Sequence, residues 1–217
     1  MANILDITMG GKRFVDVTSQ AFRVKLVQIA SRLGLDPSAL ATVMMFETGK
    51  TISPSIRNPY SGATGLIQFM PSTARNMGTT TDALAKMSAV EQLDWVEKYF
   101  TPYRNRLKTP HDHYLAVFMP SLIGTSLDHI AASNPTPEYV QNKGFDTSGK
   151  GYFTTGDVVG PVTNAYYASQ KLPTIYVPGM DWATPVRRIG LAFLSGMAGA
   201  VVGYSVAWST KEIGITK

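Results

Sequence analysis

The sequence predicts a mainly α-helical protein with a separate hydrophobic helix near its C-terminus. Apolar residues recur at three- and four-residue spacing through most of the chain, and capping residues, glycines and prolines divide this pattern into segments. No segment shows a convincing strand period, and no internal repeat occurs at solenoid spacing. A continuous uncharged stretch occupies residues 189–208. The first pattern predicts a folded helical domain, and the uncharged stretch predicts a membrane-active helix.

Composition limits the size of the domain and the class of its partners. The chain has 217 residues and is 44% hydrophobic, which suffices for one domain with a core and an appendage. A net charge of +5, carried by scattered basic residues, favours anionic surfaces such as cell walls or phospholipid over nucleic acid. The absence of cysteine excludes disulfides and thiolate chemistry. The N-terminal segment, residues 1–17, is polar and lacks the apolar run of a secretion signal.

Two predicted helices lead to Glu47. From Thr18 the apolar residues follow one helical face until Gly34, a residue type that favours the position just after a helix. Asp36-Pro37 is typical of an N-cap and first helical turn, and it opens the second helix. Glu47 shares a face of that helix with apolar residues: Leu40, Val43 and Met44. A carboxyl group therefore continues an apolar stripe, which is an unusual place for a charge.

Further helices are predicted from caps and prolines. A short helix begins at Pro71 and stops at Gly78, and a longer one is capped by Ser88. Another begins at Thr109-Pro110, and helical character resumes over residues 158–170. The stretch between the second and third helices is rich in turn-forming residues and is predicted to be a loop.

The loop of residues 146–157 has the spacing of a degenerate EF-hand. Asp146, Ser148 and Asp157 stand at positions 1, 3 and 12 of that pattern. Position 5, normally an oxygen ligand, is Lys150, whose ammonium cannot coordinate calcium but could neutralise the same oxygens. We interpret the loop as metal-free. In the alternative, a working calcium site, the ligands would be Asp146, Ser148 and Asp157. His111, His113 and His129 lack the spacing of a zinc site, so neither a metal nor a cofactor is predicted.

Residues 187–208 form the predicted membrane-active helix, followed by a polar tail at 209–217. The uncharged part would be about 30 Å long as a helix, the thickness of the hydrocarbon core of a bilayer. Small residues recur at every fourth position of this segment: Ser195, Gly199, Gly203 and Ala207. This spacing permits close packing between helices and therefore homo-oligomers. The alternative is a buried core helix, which the helix-destabilising glycines disfavour.

The two segments around Glu47 resemble a known family. Met45-Phe46-Glu47-Thr48, followed by Gly62-Ala63-Thr64-Gly65-Leu66-Ile67-Gln68-Phe69-Met70-Pro71, is similar to the soluble lytic transglycosylase domain. That domain is related to goose-type lysozyme and is common in phage-encoded enzymes that degrade cell walls. Its pattern is a catalytic glutamate followed by Ser or Thr, then a Gly-Leu-(Met/Ile)-Gln turn. The resemblance covers residues 18–123 and extends at most to residue 170, within an expected domain of residues 18–180.

The resemblance implies a lysozyme-like helical fold and specific residue roles. Glu47 would be the general acid and then the base, and the turn at residues 65–68 would form a wall of the cleft. The implied substrate contacts are Thr48, Gly65, Leu66, Gln68, Phe69, Met70, Tyr114 and Phe118. Phe118 would replace the tyrosine of a later Ala-Tyr-Asn-Ala-Gly motif, whose asparagine is absent here. Tyr103 is a further candidate aromatic.

The family reaction cleaves the bond between N-acetylmuramic acid and N-acetylglucosamine in peptidoglycan and leaves a 1,6-anhydro product. Hydrolysis of the same bond would require a second carboxylate to activate water. Asp94, Asp112 and Asp128 are present, but their positions in the fold cannot be deduced from sequence. The choice between lyase and hydrolase therefore stays open at this stage.

The expected setting is a phage virion and then the periplasm and inner membrane of the host. There the enzyme would open the wall during genome delivery, with residues 189–208 contacting the bilayer or other virion proteins. One alternative is a membrane-tethered endolysin or muramidase. Another is a structural, membrane-penetrating virion protein with a vestigial lysozyme fold.

Overall fold

The structure, a computed structural model, describes residue 4 and residues 7–169, and it is mainly helical there, as predicted. The helices are α1 (Gln20–Leu33), α2 (Pro37–Glu47), α3 (Pro71–Asn76), α4 (Thr81–Ala85), α5 (Ala89–Phe100), α6 (Pro110–Phe118), α7 (Pro137–Asn142) and α8 (Thr155–Ser169). Two antiparallel strand pairs accompany them: β1 (Thr8–Met9) with β2 (Lys12–Arg13), and β3 (Ile130–Ser133) with β4 (Tyr152–Thr154).

The predicted helix boundaries are confirmed where local capping chemistry defines them. Gly34 adopts the left-handed conformation with φ 65°, and its N–H donates to the last turn of α1. The Asp36 side chain accepts from the N–H of Ser38 and caps α2. Ser88 and Thr109 each form a capping box, at the start of α5 and of α6. Each of these interactions involves residues within one helical turn, so the local sequence suffices to predict it.

Elements formed by longer-range pairing differ from the prediction. The sequence shows no strand period, yet β3 and β4 pair although about twenty residues separate them. With four and three residues, they are too short to show an alternating pattern. The helices α4 and α7 were not predicted, and α8 begins at Thr155, three residues before the predicted start.

Helix α2 lies at the centre of the described domain. Nine of its 11 residues are buried, because it packs against α1 on one side and against α6 and α8 on another. Met44 belongs to one hydrophobic cluster with α1 and α5, and Val43 belongs to a second with α6 and α8. A helix that is apolar on all sides is a core helix. The position of its C-terminal residue, Glu47, is therefore fixed by the packing of the whole domain.

Within the described residues, no helix has the length and hydrophobicity needed to cross a membrane. The predicted membrane-active helix at residues 187–208 and the tail at 209–217 lie outside those residues.

Candidate active site

Glu47 is a buried acid without a polar partner in the described part of the chain. It is the last residue of α2, and only 8% of it is exposed. Its carboxyl group takes part in no hydrogen bond or ion pair within residues 7–168. Desolvation by burial raises its pKa from 4.5 to about 8. Its position at the negative end of a helix acts in the same direction. The side chain is therefore a proton donor at neutral pH, as required of a general acid.

The chain turns sharply after Glu47, and Thr48 holds that turn. The Thr48 hydroxyl donates to the carbonyl of Met44 at 2.7 Å and accepts from the N–H of Ile52 at 3.0 Å. Thr48 is itself fully buried. These contacts direct the backbone away from the helix and leave Glu47 at its end. The predicted substrate contact of Thr48 stays a prediction, and the structure shows a residue that shapes the backbone beside the acid.

The 65–68 turn is a tight reversal whose ends pair. Thr64 and Phe69 exchange two backbone hydrogen bonds, at 3.0 and 2.9 Å. Gly65 and Gln68 both have positive φ, 85° and 50°, a conformation that strongly favours glycine at the first of these positions. The Gln68 side-chain nitrogen donates to the carbonyl of Gly65 at 3.1 Å, which closes the turn from within.

Gln92 of α5 supports this turn from behind, and it is not among the residues predicted from the sequence. Its side chain is fully buried, and its carbonyl oxygen accepts from the N–H of Leu66 at 2.6 Å. Its nitrogen donates to the carbonyls of Pro54 and Leu84, at 3.0 and 2.9 Å. No local signal distinguishes a buried glutamine from a surface glutamine on an amphipathic helix.

Tyr99, two helical turns further along α5, joins the turn to α6. Its ring packs edge-to-face on Phe69, with the ring centroids 6.1 Å apart. Its hydroxyl donates to the carbonyl of Ala116 in α6 at 2.8 Å. Tyr99 also lies near enough to Glu47 for the carboxylate to help raise the tyrosine pKa, although desolvation is the larger cause. The sequence does not distinguish Tyr99 from the other apolar residues of α5, so it is not among the predicted residues.

The other predicted aromatic contacts are packed inside the domain. Tyr114 meets Phe46 edge-to-face at 5.5 Å, and Tyr114 stacks on Phe118 at 5.7 Å. Tyr114 and Phe118 are only 3% and 7% exposed, and Phe69, Leu66 and Tyr103 are also buried. Phe46 and Met70 are half-buried. Leu66 and Phe69 belong to one hydrophobic cluster, Tyr114 and Phe118 belong to another, and Phe46 packs against both. The burial leaves little ring surface of Tyr114 or Phe118 for a ligand.

The carboxylates of the 146–157 loop bind the protein's own donors. Asp146 accepts from the N–H groups of Lys150 and Gly151, at 2.8 and 2.7 Å, and from the Tyr139 hydroxyl. Lys150 Nζ lies 3.5 Å from Asp157 Oδ2. Ser148, the third calcium candidate, is exposed. In the described part of the chain no cluster of His, Cys, Asp or Glu has the arrangement of a metal site.

His113 is a structural residue in the core. Its Nδ1 lies 2.9 Å from the carbonyl of Thr109, and its Nε2 accepts from the N–H of Asp36 at 3.3 Å. Acceptance at Nε2 assigns the proton to Nδ1 in the neutral ring. Desolvation lowers the His113 pKa, consistent with that neutral form. The ring joins the beginnings of α2 and α6.

Comparison of the chain with protein-family models, with curated proteins and with solved structures finds no match.

Proposed function

We propose that this protein is a peptidoglycan lytic transglycosylase with a lysozyme-like fold and that Glu47 is its acid and base. The observation that carries the proposal is the state of Glu47: a buried carboxyl, with a pKa raised to about 8 and no polar partner in the described chain. A group of this kind keeps its proton at neutral pH yet can release it to a leaving oxygen. The adjoining 65–68 turn and the Glu47-Thr48 pair are the motifs that the resemblance is based on.

The chemistry needs one protein carboxyl group. Glu47 donates its proton to the glycosidic oxygen, and the bond from that oxygen to the anomeric carbon of N-acetylmuramic acid breaks. The 6-hydroxyl of the same sugar then forms a bond to the anomeric carbon and gives its proton back to Glu47. The carboxyl group ends in its starting state, and the products are an N-acetylglucosamine end and a 1,6-anhydro end.

The other carboxylates considered as water activators are placed for different tasks. Asp94 is exposed and forms an ion pair with Lys25, with 2.7 Å between Oδ1 and Nζ. Asp112 is buried but its oxygens accept from backbone and hydroxyl donors at the start of α6. Asp128 is exposed. Within the described residues, desolvation by burial is the cause of the raised pKa of Glu47. These placements support the lyase route over the hydrolytic one.

Substrate contact is proposed for the accessible edge of the site. Phe46 and Met70 are half-buried and offer apolar surface beside the acid and the turn. The side-chain nitrogen of Gln68 is bound to the turn itself, which leaves its carbonyl oxygen as a hydrogen-bond acceptor for a sugar hydroxyl or acetamido N–H. Buried Leu66, Phe69, Tyr114 and Phe118 would act by supporting this edge.

The setting follows from the same resemblance and is part of the proposal. The substrate is the glycan strand of peptidoglycan, and the place of action is the host periplasm, reached from a phage virion during genome delivery. Residues 189–208 would attach the protein to the inner membrane or to other virion proteins. The net charge of +5 favours attraction to an anionic wall.

The test is the chemistry of the products. Purified peptidoglycan is digested with the wild type and with Glu47→Gln, and the fragments are identified by mass spectrometry. We expect 1,6-anhydro-muramic ends from the wild type and none from the variant. Reducing muramic ends would establish hydrolysis instead, and equal product from Glu47→Gln would remove Glu47 from the mechanism.

A further inference from the structure

We propose that Gln92 is a positioning residue that fixes the 65–68 turn in its glycan-binding shape. The inference rests on the proposed function, because it gives that turn a role in holding the substrate. Gln92 does not touch the substrate itself, since its side chain is fully buried behind the turn. It acts through the backbone of Leu66, to which it is hydrogen-bonded.

The Gln92 amide joins three separate segments of chain. Its oxygen accepts from Leu66 in the turn, and its nitrogen donates to Pro54 in the preceding loop and to Leu84 in α4. All of its donors and its acceptor are therefore used. A buried amide with every group satisfied is stable in one orientation only, so it defines the position of each segment that it contacts.

Gly65 shows how closely the turn approaches this amide. A Cβ atom added at Gly65 would lie 2.2 Å from the Gln92 side-chain oxygen and 2.7 Å from its nitrogen. The backbone also has φ 85° at this position. Glycine is thus required both by the conformation and by the contact with Gln92. The turn and the amide are packed as one unit.

Helix α5 carries this unit and the contact to Phe69 on the same rigid body. Gln92 and Tyr99 are seven residues apart and so lie near one helical face. Tyr99 packs on Phe69 at the end of the turn and donates to the carbonyl of Ala116 in α6. The amide at one place on α5 and the tyrosine at the next therefore hold both ends of the turn against the same helix.

The experiment measures glycan binding without turnover. In the full-length chain, Glu47→Gln is combined with Gln92→Leu, with Gln92→Glu or with Asn142→Leu, and binding to purified peptidoglycan is measured at pH 6. Gln92→Leu removes every hydrogen bond of the amide. A buried, protonated Glu at this position keeps the acceptor for Leu66 and one donor. Asn142→Leu is the matched control, because it also removes a fully buried amide, in α7 and outside the site.

We expect Gln92→Leu to weaken binding by about tenfold, Gln92→Glu to restore most of it, and Asn142→Leu to have no effect. In the protein that retains Glu47, the Gln92→Leu substitution alone should raise KM and leave the pH dependence of kcat unchanged. Hydrogen exchange of the peptide covering residues 62–70 should accelerate in Gln92→Leu but not in Asn142→Leu. Unchanged binding in Gln92→Leu, or an equal loss in Asn142→Leu, would overturn the inference.

The outcomes separate this inference from the proposed function. If the wild type releases anhydro products while Gln92→Leu binds glycan normally, only the role of Gln92 is wrong. If the wild type releases no anhydro products but binding to peptidoglycan is measurable and is lost in Gln92→Leu, only the catalytic assignment is wrong. If Glu47→Gln alone fails to bind peptidoglycan, the glycan site is overturned together with the role of Gln92.

Discussion

The C-terminal end of α2 and the first turn of α6 each hold a buried acid, and the two acids have opposite properties. Glu47 is 8% exposed and has no polar partner in the described chain, and desolvation raises its pKa to about 8. Asp112 is 2% exposed. Desolvation raises its pKa as well, but hydrogen bonds from Thr109, Gly124 and Lys108 together outweigh it, and the net shift is downward.

The difference shows that donors, rather than burial, decide the charge of a buried carboxyl group. One oxygen of Asp112 accepts from the N–H of Lys108 and of Thr109, both at 2.9 Å, and the other accepts from Gly124 at 3.1 Å. The N-terminal position in α6 also favours a negative charge, whereas the C-terminal position in α2 opposes one. Asp112 is therefore built to be a structural anion, and Glu47 is built to exchange a proton.

The largest expected effect separates the two acids by activity. Glu47→Gln removes the exchangeable proton and should lower the rate of peptidoglycan cleavage by roughly 10^3-fold. Asp112→Asn, assayed well below its unfolding temperature, should change the rate by no more than about fivefold because it alters only the support of α6. The measurement is the initial rate of release of soluble fragments. Similar losses in both variants would contradict the division of roles.

The next expected effect concerns the contribution of Asp112 to the free energy of unfolding. Asp112→Asn replaces an acceptor of four hydrogen bonds by an amide with one acceptor atom, so the free energy of unfolding at pH 7 should fall by about 2 kcal/mol. Because the pKa of Asp112 is lowered by folding, its contribution is present above the ordinary pKa of an aspartate and is lost as the pH falls through the folded value. Urea unfolding at pH 7 and at pH 3 measures this, and the variant should differ less from the wild type at the lower pH.

The pH dependence of cleavage should report Glu47 directly. The reaction begins with a protonated carboxyl group, so the rate should fall about tenfold per pH unit once the pH exceeds about 8. The control is Lys25→Gln, which removes the ion pair of Lys25 with Asp94 and should keep the wild-type profile. A decline centred near pH 4.5 would show that the Glu47 carboxyl is not desolvated in solution.

The last prediction concerns the slope of the free energy of unfolding against pH. Folding raises the pKa of Glu47, so between about pH 4.5 and about pH 8 the native state holds a proton that the unfolded state has released. The free energy of unfolding should therefore decline across this window, by up to about 1.4 kcal/mol per pH unit. Glu47→Gln should remove this decline. Parallel curves for the wild type and the variant would contradict the burial of the charge.

Prediction from sequence succeeded for elements whose signals are local. Gly34, Asp36, Ser88 and Thr109 define helix ends through contacts within one turn, and the structure confirms those ends. The β3–β4 pair could not be found in the same way, because its hydrogen bonds join segments far apart in the chain. Neither strand is long enough to show a period of two.

The candidate site shows the same difference between features with a local sequence signal and features that depend on packing. The burial of Glu47 follows from its apolar neighbours on α2, which the sequence shows directly. The roles of Gln92 and Tyr99 depend on what α5 packs against, and no spacing within α5 specifies that. Thr48 has the residue type expected of a polar contact, but its hydroxyl is used by the backbone of its own turn.

Lys150 affects whether the 146–157 loop needs dissolved calcium to keep its shape. Lys150 Nζ lies 3.5 Å from Asp157 and near the ring of Tyr152, so a covalently attached cation sits among the carboxylates of the loop. Such a counter-ion is never lost by dilution and needs no supply from the medium. The loop should therefore keep its shape in calcium-poor and calcium-rich solutions alike, and a chelator should leave the unfolding temperature of the protein unchanged.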